Sequence, residues 1–337
     1  MNRNVTCCVL GLIILLLLSC TNDELKPSPY IVAEFENHIQ ESVIFQKENS
    51  VYVATLGGSL FSEVTEVYRV DLLSGMKILF FSTEGHVRRF IVSADEKFIS
   101  ISVFTQSPTS GSITRLELFD VSTKEKTVLK SVQAPLAPFA FDMENRTLLY
   151  NIYENGENRI RKIDLTSKAD VIISDERNGV IAMIDPATRN ILMQSSGEMY
   201  FIDWDGNIIG EPFTGFTPWH ISPDGKKIIG RQGKFVSVGG KLIYYLEVIS
   251  YTIATKEIEV LISTENQFFF LTSLSTDQNL ALCSAGDLYI LNTINLEKKQ
   301  LMSTYKEEYG IGFFDENRQV LFLLGEYYPK ILYGIKL

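Results

Sequence analysis

Cysteine and histidine are scarce in this chain: 337 residues hold 4 Cys and 3 His. Cys7 and Cys8 lie in an apolar N-terminal stretch, and Cys20 ends it. Cys283 is then the single cysteine of everything that follows, so no intramolecular disulfide can brace the fold. It sits in the apolar run Leu280-Ala281-Leu282-Cys283 and reads as a small core residue. Paired-cysteine metal motifs are excluded by the same count. There is no His-Glu-x-x-His, no glycine-rich phosphate loop and no Gly-x-Ser-x-Gly. His38, His86 and His220 are scattered along the chain. No cofactor, metal centre or catalytic residue is expected from them. Basic charge is also short, with 31 Lys and Arg against 41 Asp and Glu. A net charge of −10 argues against a nucleic-acid partner, which needs a basic stripe. Long hydrophobic runs are missing too. The run Val9 to Leu18 is about ten residues, against the roughly 20 that a spanning helix needs.

What is present begins at the N-terminus. Arg3 precedes the short apolar run, which ends at the small residue Ser19. That order describes a secretory signal peptide over residues 1–19. Leu17-Leu18-Ser19-Cys20 resembles the lipobox of bacterial lipoproteins. The resemblance implies cleavage before Cys20 and acylation of its thiol, palmitate included. Asp23 and Glu24 follow closely behind. An acidic stretch there resembles the surface-export signal of Bacteroidota lipoproteins. It implies attachment to the outer membrane by lipid alone, with the domain facing the periplasm or the cell surface. Residues 20–29, with Pro27 and Pro29, read as a lipidated tether. Residues 30–337 read as one domain. Without the signal peptide the charge is 30 basic against 41 acidic residues, a net −11.

The body of the chain is organised by a repeat, clearest at Ile221-Ser222-Pro223-Asp224-Gly225-Lys226-Lys227-Ile228. An apolar strand enters a tight turn and a second apolar strand leaves it. Pro223 presets φ, and Gly225 supplies a conformation that side chains resist. Weaker copies fall at Glu48-Asn49, Asp95-Glu96, Glu144-Asn145, Pro186-Ala187, Asp277-Gln278 and Glu316-Asn317. The copy at Pro186 lacks the acid at its place. Successive copies lie about 37 to 53 residues apart, the range of four-stranded propeller blades. A second turn follows most of them, at Asp71, Asp120, Asp164 and Asp203, with degenerate forms near Thr252 and Asn292. A carboxylate there can fold back on the backbone and hold the turn. Asp203 and Asp205 accordingly read as turn residues and not as a glycosidase pair.

These repeats predict an all-β protein, a β-propeller of four-stranded blades. Seven blades are expected, with six as the alternative. The last repeat supplies three strands, so Tyr30-Ile31-Val32-Ala33-Glu34-Phe35 is expected to close the ring as its missing outer strand. The signature at 221–228 resembles that of TolB-like, PD40-type (WD40-like) propellers. The resemblance implies a fold and a role in protein contacts, with no defined activity. Seven-bladed lyases acting on pectin fragments share the Ser-Pro-Asp-Gly turn, but need a histidine-rich metal centre.

Two rims follow from the repeat. One carries the short turns. The other is expected to carry longer loops, at Leu56–Ser62, Gln106–Gly111 and, longest, Gly230–Gly240. Variable loops on a rigid scaffold are where binding usually sits. His86, Arg88, Trp219, His220, Phe235, Phe268, Phe269 and Tyr309 lie at or near that rim and are the candidate binding residues. Lys124 and Lys226 mark the opposite rim. The expected function is that of a non-enzymatic, lipid-anchored module of the cell envelope, binding a protein or a glycan. The alternative is a polysaccharide lyase or hydrolase with its site at the channel mouth.

Overall fold

Middle strands such as Ile99-Ser100-Ile101-Ser102-Val103 bury every side chain, the isoleucines and valine on one face and the serines on the other. A strand hidden on both faces needs a sheet packed on each side. The computed structural model supplies that arrangement. It describes residues 30–336, except 48–49, 60–61, 108–110, 145, 175–177, 266–269, 276–279, 285–286, 293–297, 304–311, 315–319 and 324–329.

Among the described residues the strands fall into seven four-stranded antiparallel sheets, arranged as the blades of a propeller. Blades 1 to 6 span 38–84, 86–132, 136–172, 179–213, 217–265 and 270–303. Blade 7 takes its three inner strands from 312–335. Its outermost strand is Tyr30–Glu34, paired antiparallel with Ile331–Ile335, Tyr30 opposite Gly334 and Glu34 opposite Ile331. The ring closes as the repeat predicts, with the two ends of the domain hydrogen-bonded in one sheet.

Each junction between blades holds its own apolar cluster. Tyr52, Val67 and Phe81 meet Val87, Ile99 and Phe119 between blades 1 and 2. Ile91, Leu116 and Leu118 meet Leu136, Leu148 and Tyr150 at the next junction. Leu149 and Ile160 meet Ile191 and Met193, and Leu192 and Phe201 meet Ile228 and Tyr251. Ile229 and Val248 reach Ala281, and Leu282 reaches Val320. Val32, Phe35 and Leu332 of blade 7 meet Ile39, Val51 and Leu72 of blade 1. Burial between neighbours therefore runs around the whole ring and supplies the stability that disulfides do not.

The short turns are built by their own side chains. Ser222 Oγ donates to Asp224 Oδ1 at 2.7 Å and accepts from the Lys226 and Lys227 amides. Ser93 and Asp95 repeat the arrangement. At the second turn, Asp71 Oδ1 accepts the amides of Leu73 and Ser74 and the Ser74 hydroxyl. Asp120 and Asp164 do the same for their turns. Asp203 accepts the Asp205 and Asn207 amides and the Asn207 side chain, which is turn chemistry as expected. Blade 4 carries its acid two residues earlier than the template. Asp185 accepts the Ala187 amide and the Thr188 hydroxyl and takes the place of the serine.

The long-loop rim requires a correction. Gly230–Gly240 is not a loop. Lys227–Val238 and Lys241–Thr252 pair along their whole length, so that Val238 faces Lys241. Gly239 and Gly240 both take positive φ, 57° and 80°, the two-residue turn whose twist matches the strands. The described residues of Leu56–Ser62 and Gln106–Gly111 are likewise strand, paired as far as Ser59 with Ser62 and Ser107 with Gly111. Backbone pairing continues wherever alternation continues, so this rim consists of protruding hairpins.

Candidate functional site

The innermost strands do not run straight. In His86–Val92, Leu136–Asp142, Gly179–Ile184 and Thr217–Ile221 the pairing register shifts by one residue. The extra residues are Arg88, Phe139, Ala182 and Trp219. A bulge bends its strand and re-aims the adjacent side chains. Blade 6 does the same between Leu271 and Ser273, so five consecutive blades do so around a shared centre.

A cavity of about 680 Å³ lies there, between the innermost strands of blades 2 to 5. Ala94 and Pro186, from short turns, also line it, so it occupies the half of the channel toward the short-turn rim. Its walls are mostly apolar, with Phe139 and Trp219 among them, and its polar side chains are Arg89 and His220. Blades 2 and 5 stand well apart around the ring, so those two groups approach the cavity from different sides.

The two polar groups differ in their access to water. The Arg89 guanidinium lies over the Phe139 ring, 4.6 Å from its centroid. Water reaches it, yet the crowding protein desolvates it and lowers its pKa from the ordinary arginine value. No described carboxylate pairs with it. His220 Nε2 is buried and has no hydrogen-bond partner among the described residues. Desolvation lowers the pKa of this imidazole, which favours its neutral form. Among the described residues this arginine has no counter-ion, in a chain of net charge −10.

The residues singled out from the sequence separate. Trp219 and His220 line the cavity. Trp219 also packs against the cluster of Ile229, Leu246, Val248 and Ala281, and Arg231 lies 5.6 Å from its ring. His86 stands outside the cavity at the start of its strand, 3.8 Å from Glu63. Burial lowers its pKa, and Glu63 partly opposes that. Arg88 sits over the Phe104 ring at 4.1 Å. Phe235 projects from the blade 5 hairpin, 66% exposed and beside Tyr244. Cys20, Phe268, Phe269 and Tyr309 lie outside the described residues.

Sequence reasoning missed Arg89 and Phe139. A positional signal for the phenylalanine exists. Phe139, Ala182 and Trp219 each stand three residues before the side chain that opens the short turn: Asp142, Asp185 and Ser222. Counting back from those turns would have put Phe139 beside Trp219. In blade 2 the bulge lies two residues further from Ser93, so the same count misses Arg89.

The described lining offers one imidazole and, from another side, a guanidinium, a set that does not fit a divalent cation. Among the described residues no three His, Cys, Asp or Glu side chains gather as metal ligands. Nor does the described lining hold a hydroxyl, thiol or carboxylate.

No protein-family model matches the sequence, and no curated protein matches it. Solved structures do. The chain is similar to an oligogalacturonate lyase from Vibrio parahaemolyticus, at 13% identity and a TM-score of 0.62 over 93% of this chain and 94% of that one. It is similar to the Swd1 β-propeller domain of Myceliophteria thermophila, at 12% identity and a TM-score of 0.61 over 92% and 100%. TolB from Acinetobacter baumannii matches at 16% identity and a TM-score of 0.46, over 84% of this chain and 63% of its own. At such identities the likeness is one of fold: the chain has the β-propeller fold.

Proposed function

We propose that this protein is a lipid-anchored binding module of the bacterial cell envelope, with the central channel as its ligand site. One observation carries the binding role. The cavity presents a guanidinium with no carboxylate partner among the described residues, between apolar and aromatic walls, and the described lining holds no nucleophile or carboxylate. Such a set can hold and orient a ligand. As a reaction centre the described lining lacks a group to accept a second proton beside the imidazole. The anchor rests on Leu17-Leu18-Ser19-Cys20. Through it the protein associates with the outer membrane, where a protein or glycan partner is in reach.

The test has two arms. Cys20→Ser should leave an unlipidated precursor that no longer partitions with membrane lipoproteins, and normal partitioning would refute the anchor. Wild type is then incubated with oligogalacturonate and the unsaturated product is followed by absorbance. No turnover is expected at any enzyme concentration. Turnover that disappears in His220→Gln would replace the binding reading with the lyase.

A further inference from the structure

Resting on the reading of the channel as a ligand site, we infer that its ligand is an apolar carboxylate: an acid group at one end of a hydrophobic body. The Arg89 guanidinium supplies the charge, and its planar fork suits a carboxylate bound through two parallel hydrogen bonds. The walls argue for the rest of the ligand. Beyond Arg89 and His220, the described lining consists of Ile, Val, Ala, Phe, Met, Pro and Trp side chains. A sugar brings hydroxyl groups all round its ring, and each one buried without a partner costs free energy. This lining has no hydroxyl or amide side chain to receive them. An aliphatic or aromatic body asks for nothing polar and gains from every wall it touches. The volume, about 680 Å³, lies within the roughly 300–1,000 Å³ of small-molecule sites.

His220 lies in the opposite wall. Its Nε2 is buried beneath that wall, so the residue offers the ligand packing surface and not a hydrogen bond. With the acid on Arg89 in blade 2 and the far end near His220 in blade 5, the ligand lies across the channel over Phe139 and Trp219. Two sources carry this chemistry: a free apolar acid, or the C-terminal residue of a polypeptide that threads into the channel.

The full-length protein in non-ionic detergent is titrated calorimetrically with 4-phenylbutyrate, 4-phenylbutanamide and glucuronate. A Leu-Phe peptide is tested with a free and with an amidated C-terminus. The expected result is that 4-phenylbutyrate binds and its amide binds at least roughly tenfold more weakly. Arg89→Gln should abolish the difference at an unchanged melting temperature. Arg88→Gln, which alters the neighbouring arginine outside the cavity, should keep it. Tighter binding of the free-acid peptide than of 4-phenylbutyrate assigns the ligand to a polypeptide terminus, and the reverse order to a free acid. Glucuronate binding more tightly than either overturns the inference while leaving the channel as a glycan site. Equal binding of acid and amide, or no binding of any probe, also overturns it. If the acid binds and Arg89→Gln leaves it unaffected, the channel itself is the wrong site.

Discussion

Replacing Phe35 with alanine tests the closure of the ring at its seam. Phe35 follows the N-terminal strand and is 6% exposed. It packs edge-on against Tyr68, ring centroids 5.5 Å apart, inside the cluster of Ile39, Val51, Val53 and Leu332. Its amide bonds to the Lys330 carbonyl at 2.9 Å, a contact that alanine keeps. The loss is therefore side-chain packing, with a cavity where the ring stood. Buried Phe→Ala changes cost about 3–5 kcal/mol. At roughly 2–4 °C per kcal/mol for a domain of a few hundred residues, the melting temperature should fall by about 10 °C. Ile31 provides the control, since it lies in the same strand and is 53% exposed. Ile31→Ala should stay within about 0.5 kcal/mol of the parent. Urea unfolding, with midpoints compared at constant slope, measures both. A Phe35→Ala variant as stable as the parent would refute the seam, because the Phe35 ring would then not be packed between blades 7 and 1.

Other perturbations follow from the turns. Gly206→Ala places a Cβ 2.0 Å from the Ile173 carbonyl oxygen at φ +90°, and a backbone atom cannot easily move aside. It should cost about 2 kcal/mol or more by urea unfolding, whereas Gly225→Ala, which meets the movable Asp185 carboxylate, should cost about 1. Asp71, Asp120 and Asp164 are held below the ordinary Asp pKa by hydrogen bonds from their turns. The unfolded chain thus takes up those protons first. Their contribution is complete above about pH 4 and is lost as pH falls through the lower folded values, and each Asp→Asn change should flatten that acid limb. Burial lowers the pKa of both His86 and His220. Stability should accordingly decline as pH drops below about 6.5, where the unfolded chain protonates first, and His220→Gln should reduce the slope.

Much of the architecture was legible because turns are local. A serine or acid, a proline or glycine and the alternation on either side are read within about ten residues. Those signals placed the repeats, and the unmatched strand of the last repeat predicted that Tyr30–Phe35 would close the ring, which Tyr30–Glu34 does. The rim was misread because Gly233, Gly239 and Gly240 suggest a loop by composition. The alternation Lys234-Phe235-Val236-Ser237-Val238 continues the strand regardless, and Tyr244 covers Gly233. The cavity was half legible. Trp219 and His220 belong to the most conspicuous repeat. Arg89 and Phe139 acquire meaning only through bulges, and a bulge is a mismatch between two strands that neither strand shows alone.

The central claim is that the channel holds the ligand. A crystal structure of the protein grown with 4-phenylbutyrate tests it most directly. The account expects density in the cavity between blades 2 and 5, with the carboxylate on the Arg89 guanidinium and the ring against Phe139 and Trp219. Density beside Phe235 on the hairpin rim, with the channel empty, would contradict it.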